Sequence, residues 1–138
     1  MRSMLSAILA VALTLLASCS SAAEQLPTDV QVTVELKEYA ITVTPATFAA
    51  GTIKFGVRNA GTMEHEFEII KTDLTVDKLV VDVGAGKAKE DGLVKQIQSI
   101  LPSKVATTTA NLTAGSYVII CNVAGHYQLG MRAAFKVN

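Results

Sequence analysis

From Val30 onward the chain alternates apolar and polar residues with period two, which restricts it to β-structure more than any other feature. Val30, Val32, Val34 and Leu36 alternate with Gln31, Thr33 and Glu35. Residues 39–43 extend or pair with that strand. Ile53, Phe55 and Val57 alternate with Lys54, Gly56 and Arg58, and Met63, His65, Phe67 and Ile69 with Glu64, Glu66 and Glu68. Such patterns describe strands with one buried face. Further strands are expected at 79–83, 105–112, 117–121 and from 131 or 132 to 137. The run 117–121 is apolar on both faces, as a central strand would be. Turn residues separate the runs: Pro45, Gly51, Asn59-Ala60-Gly61, Gly84-Ala85-Gly86, Pro102 and Gly115. Between 89 and 101 the period changes: Leu93, Ile97, Ile100 and Leu101 share a helical face, and Pro102 stops the segment. A single short helix, or a packed loop crossing between sheets, is expected there. The fold class is therefore all-β: a two-sheet antiparallel Greek-key β-sandwich or barrel of about seven to eight strands with one short helix.

The N-terminus reads as an address rather than as part of the fold. Arg2 is followed by an almost uninterrupted apolar run from Met4 to Ala17, short for a membrane span and followed by small residues, as in an export signal. Leu16-Ala17-Ser18-Cys19 resembles the bacterial lipobox, in which the cysteine is lipidated and becomes the first mature residue. Cleavage after Ala23, behind Ser21-Ala22-Ala23, is the alternative. The expected division is a signal at 1–18, a Ser/Ala-rich tether at 19–28 and one domain at 29–138. A diacylated Cys19 would anchor that domain to a membrane on the extracytoplasmic or periplasmic side.

Charge excludes some functions. With Arg2 removed, eleven basic residues face 12 acidic ones, a net charge of −1. That balance offers no footprint for nucleic acid. The two cysteines of an exported chain could pair, but Cys19 sits at the tether and Cys121 in an apolar strand. If Cys19 is lipidated, Cys121 has no partner. A lone thiol in an oxidising compartment oxidises unless it is buried or metal-bound.

Cys121 opens the most chemically loaded stretch, Cys121-Asn-Val-Ala-Gly-His126-Tyr-Gln-Leu-Gly-Met131. Thiolate, imidazole and thioether together suit copper better than other common metals. His65, the only other histidine, lies on the inward face of its run. Taken singly, each has a plainer use: His65 as a core histidine bonded to a carbonyl, Cys121 as a small buried hydrophobe, His126 as a loop residue, Met131 as core. Taken together, His65, Cys121 and His126 would surround one copper ion, Cu(I) or Cu(II), with Met131 as a weak axial ligand. Zinc on Cys and two His is a further possibility, against which the methionine argues.

The Cys-x4-His-x4-Met loop, preceded by Gly-Ser-Tyr-Val-Ile-Ile and followed by a terminal strand, resembles the cupredoxins, blue copper proteins such as azurin and plastocyanin. Asn59-Ala-Gly with His65 is similar to that family's first-histidine region. The resemblance covers residues 28–138 and is specific at 53–69 and 115–137. It implies a Greek-key β-sandwich with His65, Cys121, His126 and Met131 as ligands. Two positions depart from azurin and plastocyanin: Glu66 stands where they have Asn, and azurin's Gly before the histidine is Glu64. Asn59 is a candidate for the missing loop-tying role.

The expected function is single-electron transfer between membrane-associated redox partners by a monomer. Partners would dock near His126, Tyr127 and Leu129. No paired carboxylates or nucleophile–base arrangement points to an enzyme. A copper carrier or store is the alternative; it would favour a Met-rich site, but Met1 and Met4 leave with the signal.

Overall fold

The computed structural model describes residues 24–138. The expected export signal, the lipobox-like run and Cys19 lie outside the described residues. The strands are β1 Val32–Lys37, β2 Ala40–Thr44, β3 Thr47–Phe48, β4 Gly51–Asn59, β5 His65–Lys71, β6 Val81–Asp82, β7 Lys87–Ala88, β8 Leu93–Ile100, β9 Val105–Leu112, β10 Gly115–Ile120 and β11 Arg132–Val137. One helical turn, α1 His126–Leu129, separates the last two strands. Two sheets form the sandwich. The first has the order β2-β1-β4-β9 and the second β3-β11-β10-β5-β8, while β6 and β7 make a separate ribbon. Among the described residues, eight strands have five residues or more, in keeping with the alternation. Not every pairing is antiparallel: β1 runs parallel to β4, and β3 parallel to β11.

The period-two residues meet between the sheets. Val32, Val34 and Leu36 of β1 and Phe55 and Val57 of β4 face Phe67, Ile69, Ile119 and Phe135 across one buried cluster. Aromatic rings form its middle. Phe55 lies 5.8 Å from Phe67, and Phe135 stacks at 5.2 Å on both Phe48 and Tyr117. Contacts of this kind add about 0.5–1.5 kcal/mol each to the burial of the rings.

A second, smaller core lies on the outer face of the second sheet. There Ile70, Val118 and Ile120 are covered by Leu79, Ala88 and Tyr127. This explains why 117–121 is apolar on both faces: β10 lies between β11 and β5 and is buried on each side.

Three expectations are corrected. The segment 89–101 contains no helix but the strand β8. Its pairing with β5 shifts register between His65 and Phe67 and again between Ile69 and Ile70, and such bulges break a period-two pattern. Met63 is not on the inward face of β5; it sits in the preceding turn and is 42 % exposed. The run 79–83 supplies only the two-residue β6.

Part of the expected tether rests on the first sheet. The Val105 N–H donates to the Glu24 carboxylate at 3.2 Å, and Leu26 lies over the open surface of Gly56. No helix among the described residues is long and apolar enough to cross a membrane.

Candidate metal centre

His65 opens β5 opposite Ile100, with a register shift directly after it. Cys121 follows β10 directly. The loop after it folds back on itself: the Cys121 N–H donates to the Met131 carbonyl at 3.1 Å, and the Met131 N–H donates to the His126 carbonyl at 3.0 Å. His126 begins α1 rather than standing in an irregular loop. Gly125, at φ 83°, turns the chain into that helical turn, and Gly130, at φ 121°, turns it out. A Cβ at Gly130 would lie 2.8 Å from the Tyr39 carbonyl oxygen, so this position needs glycine for both space and conformation.

These elements bring three donor atoms together. Cys121 Sγ lies 3.4 Å from His126 Nδ1 and 3.7 Å from His65 Nδ1, and the two Nδ1 atoms are 3.3 Å apart. All three residues are buried, and their ligand atoms fit within a span of 4.8 Å, so the cluster can hold a metal ion. Met131 is fully buried in the same cluster as Cys121.

Burial sets the protonation of these groups. Desolvation, followed by the neighbouring His126, holds His65 below its ordinary pKa and so favours the neutral ring, the form that binds metals. Desolvation raises the Cys121 thiol, opposed by the backbone N–H groups of Glu66 and Val123. A thiolate here therefore needs a cation beside it. The Glu66 N–H donates to Cys121 Sγ at 3.2 Å, so the main chain of residue 66 supports the sulfur while its carboxylate pairs with Lys87 at 3.6 Å.

The surrounding hydrogen bonds fix the loops. Asn59 donates to the carbonyls of Met63 and Ile100, both at 2.7 Å, and accepts from the Gly61 N–H at 2.9 Å. It thereby ties the turn before His65 to the end of β8. Asn122 holds the other side. Its side chain accepts from the Ala88 N–H at 2.8 Å and donates to the Ala88 carbonyl at 3.1 Å and to Glu90 at 3.2 Å.

One expected surface residue is internal. Tyr127 is only 2 % exposed; its hydroxyl donates to the Val76 carbonyl at 3.0 Å and accepts from the Leu79 N–H at 2.9 Å. It cannot meet a partner. Leu129 does face solvent, at 59 % exposure, as do Tyr39 and Met63.

The structure adds residues to which the local sequence pattern gave no signal. Glu38 and Tyr39, between β1 and β2, reach the site from the first sheet. The Tyr39 ring meets His126 edge-on at 5.9 Å, and Glu38 lies beside His65. Asn122 stood in the ligand loop but carried no pattern of its own.

Comparison with solved structures shows which fold this is. A dithionite-reduced auracyanin from the photosynthetic bacterium Roseiflexus castenholzii is 22 % identical; the match covers 77 % of this chain and 94 % of that one, with a TM-score of 0.57. Auracyanin A, a "blue" copper protein from the green thermophilic photosynthetic bacterium Chloroflexus aurantiacus, is 24 % identical over 78 % of this chain and 98 % of its own, with a TM-score of 0.58. Rusticyanin from Thiobacillus ferrooxidans is 19 % identical over 77 % and 76 %, with a TM-score of 0.58. No protein-family model and no curated protein sequence matches the chain. The fold is that of the cupredoxins, and the chain carries a His-Cys-His cluster able to hold a metal ion.

Proposed function

We propose that this protein is a blue copper electron carrier, with one copper held by His65, Cys121, His126 and Met131. The carrying observation is the convergence of Cys121 Sγ with the Nδ1 atoms of both histidines in a buried cluster. A soft thiolate, two imidazoles and a buried thioether are the donors copper prefers. Copper would supply a one-electron Cu(I)/Cu(II) couple.

The protein's part is to keep those donors still and dry. His65 is fixed by its strand, Cys121 by its bond to Met131 and by the Glu66 N–H, and His126 by the Met131 N–H. Donors held this way move little between two oxidation states, which favours fast exchange. Burial keeps water from the thiolate. Tyr39, Met63 and Leu129 supply exposed apolar side chains for a weak partner surface.

The apolar run at 4–17 and Leu16-Ala17-Ser18-Cys19 support an extracytoplasmic location with a lipid anchor at Cys19, ahead of a domain at 29–138. Cys19→Ala should release the protein from membranes; membrane association that survives would remove the anchor from the account.

Titration of the purified domain with Cu(II) tests the site. One equivalent should produce an intense visible thiolate-to-copper band, and Cys121→Ser should abolish it. A colourless protein that binds only zinc would contradict the reading.

A further inference from the structure

The two residues joining β1 to β2 touch both histidines of the cluster. Tyr39 packs its ring edge on His126. Glu38 approaches the far side of His65: its Oε1 lies 3.5 Å from His65 Nε2. His65 is fully buried, and Nε2 is a buried polar atom that makes no hydrogen bond among the described residues. The ring's other nitrogen, Nδ1, faces Cys121 and His126. The imidazole thus lies between the donor cluster on one side and a carboxylate on the other.

Glu38 is itself held in place. Its Oε1 accepts from the Thr62 N–H at 2.6 Å and the Met63 N–H at 2.8 Å, in the turn that leads into His65. The side chain is only 21 % exposed. A carboxylate fixed by the very turn that delivers the histidine has little freedom to move away from it.

We propose that Glu38 is a positioning residue for the copper site: its carboxylate accepts the Nε2–H of His65, reserves Nδ1 for the metal, and sets a fixed negative charge behind that ligand. The proposal rests on the copper reading for its redox consequence, but its structural half stands on the metal-free protein. An ionised carboxylate can only accept, so the ring proton must reside on Nε2 and the Nδ1 lone pair is left free. Carboxylates behind ligating histidines orient the ring and raise its basicity. Closing the gap from 3.5 Å to an ordinary N–H···O length takes a shift of roughly 0.6 Å. The added negative charge favours Cu(II) over Cu(I) and so lowers the reduction potential.

Three substitutions separate charge from shape. Glu38→Gln keeps an oxygen that can accept from Thr62 and Met63 but removes the charge. Glu38→Asp keeps the charge on a shorter stem. Glu38→Ala removes both. In copper-loaded protein, Glu38→Gln should raise the reduction potential by about tenfold in relative preference for Cu(I), ~59 mV for one electron. Glu38→Asp should restore most of that difference. An unchanged potential in a folded, blue Glu38→Gln variant would overturn the redox half. In the metal-free protein, nitrogen-15 NMR should find the His65 proton on Nε2, shifted downfield, and Glu38→Ala should move that resonance upfield. A His65 proton on Nδ1, or a resonance indifferent to Glu38→Ala, would overturn the positioning half. If the wild-type protein forms no blue centre with Cu(II), the copper reading fails while the NMR arm still decides the Glu38 contact.

Discussion

The two faces of β5 carry buried groups of opposite kinds. One face presents His65, Phe67 and Ile69 to the space between the sheets; the other presents Glu66, Glu68 and Ile70 to the smaller outer core. On the first face burial holds His65 below its ordinary pKa. On the second, burial raises Glu68 to about 7, reinforced by the carboxylates of Glu90 and Glu66 and opposed by Gln96 and Lys87. The same physical cause, loss of water, shifts both groups toward their neutral forms. The lesson is that an outward face in a strand pattern need not be a wet one. Here the segment between β5 and β8 covers it, and Glu68 is fully buried with Oε2 lacking a hydrogen bond among the described residues.

The comparison can be broken by cutting into either face. Phe67→Ala on the core face should have the largest effect, a loss of about 3–5 kcal/mol in chemical denaturation. The ring is fully buried and packs on Phe55 at 5.8 Å. A cost near that of a surface change would show that the main core is not packed as described.

Gly130→Ala should come next, at about 1–3 kcal/mol, because it combines an unfavourable φ with a collision at the Tyr39 carbonyl. It should also disturb the spectrum of the metal-loaded protein, since Gly130 lies between His126 and Met131. A variant of native stability and spectrum would mean that Tyr39 does not press on this loop.

On the outer face, Tyr127→Phe should cost about 1–2 kcal/mol by leaving the Leu79 N–H and Val76 carbonyl without their partner. Thermal unfolding measures it, and no change would return Tyr127 to the surface where it was first expected.

Glu68 gives the subtlest signature. Its folded pKa is raised from 4.5 to about 7, so between those values the folded state holds the proton more tightly than the unfolded chain. That contribution is fully present below about 4.5 and is lost as pH rises through about 7. Glu68→Gln should therefore stabilise the metal-free protein at pH 8 relative to wild type and flatten the slope across this window. A parallel pH profile for both proteins would show that Glu68 is solvated.

Much of this was legible along the chain. Period-two runs gave β9 and β11 nearly to the residue and β1 and β4 to within two residues, because each has one buried face and few irregularities. His65, Cys121 and His126, picked out by chemistry and spacing, converge in space. The strand β8 was not legible. It is an edge strand with a largely exposed surface, and its bulged pairing left Leu93, Ile97, Ile100 and Leu101 at spacings that mimic a helix. Glu38 was invisible for another reason. Its value comes from a contact between sheets with a residue 27 positions away, and no local pattern marks such a contact. At Glu66, where azurin and plastocyanin have Asn, the bond to Cys121 comes from the main-chain N–H and needs no particular side chain.

The central claim is that a single thiolate-bound copper cycles between two states in this cluster. The direct measurement is the visible spectrum of the protein with one equivalent of Cu(II), taken through reduction and reoxidation and repeated on Cys121→Ser. The account predicts an intense band that bleaches on one-electron reduction, returns on oxidation and is absent from the serine variant. A band that survives Cys121→Ser, or a protein that stays colourless with Cu(II), would contradict it.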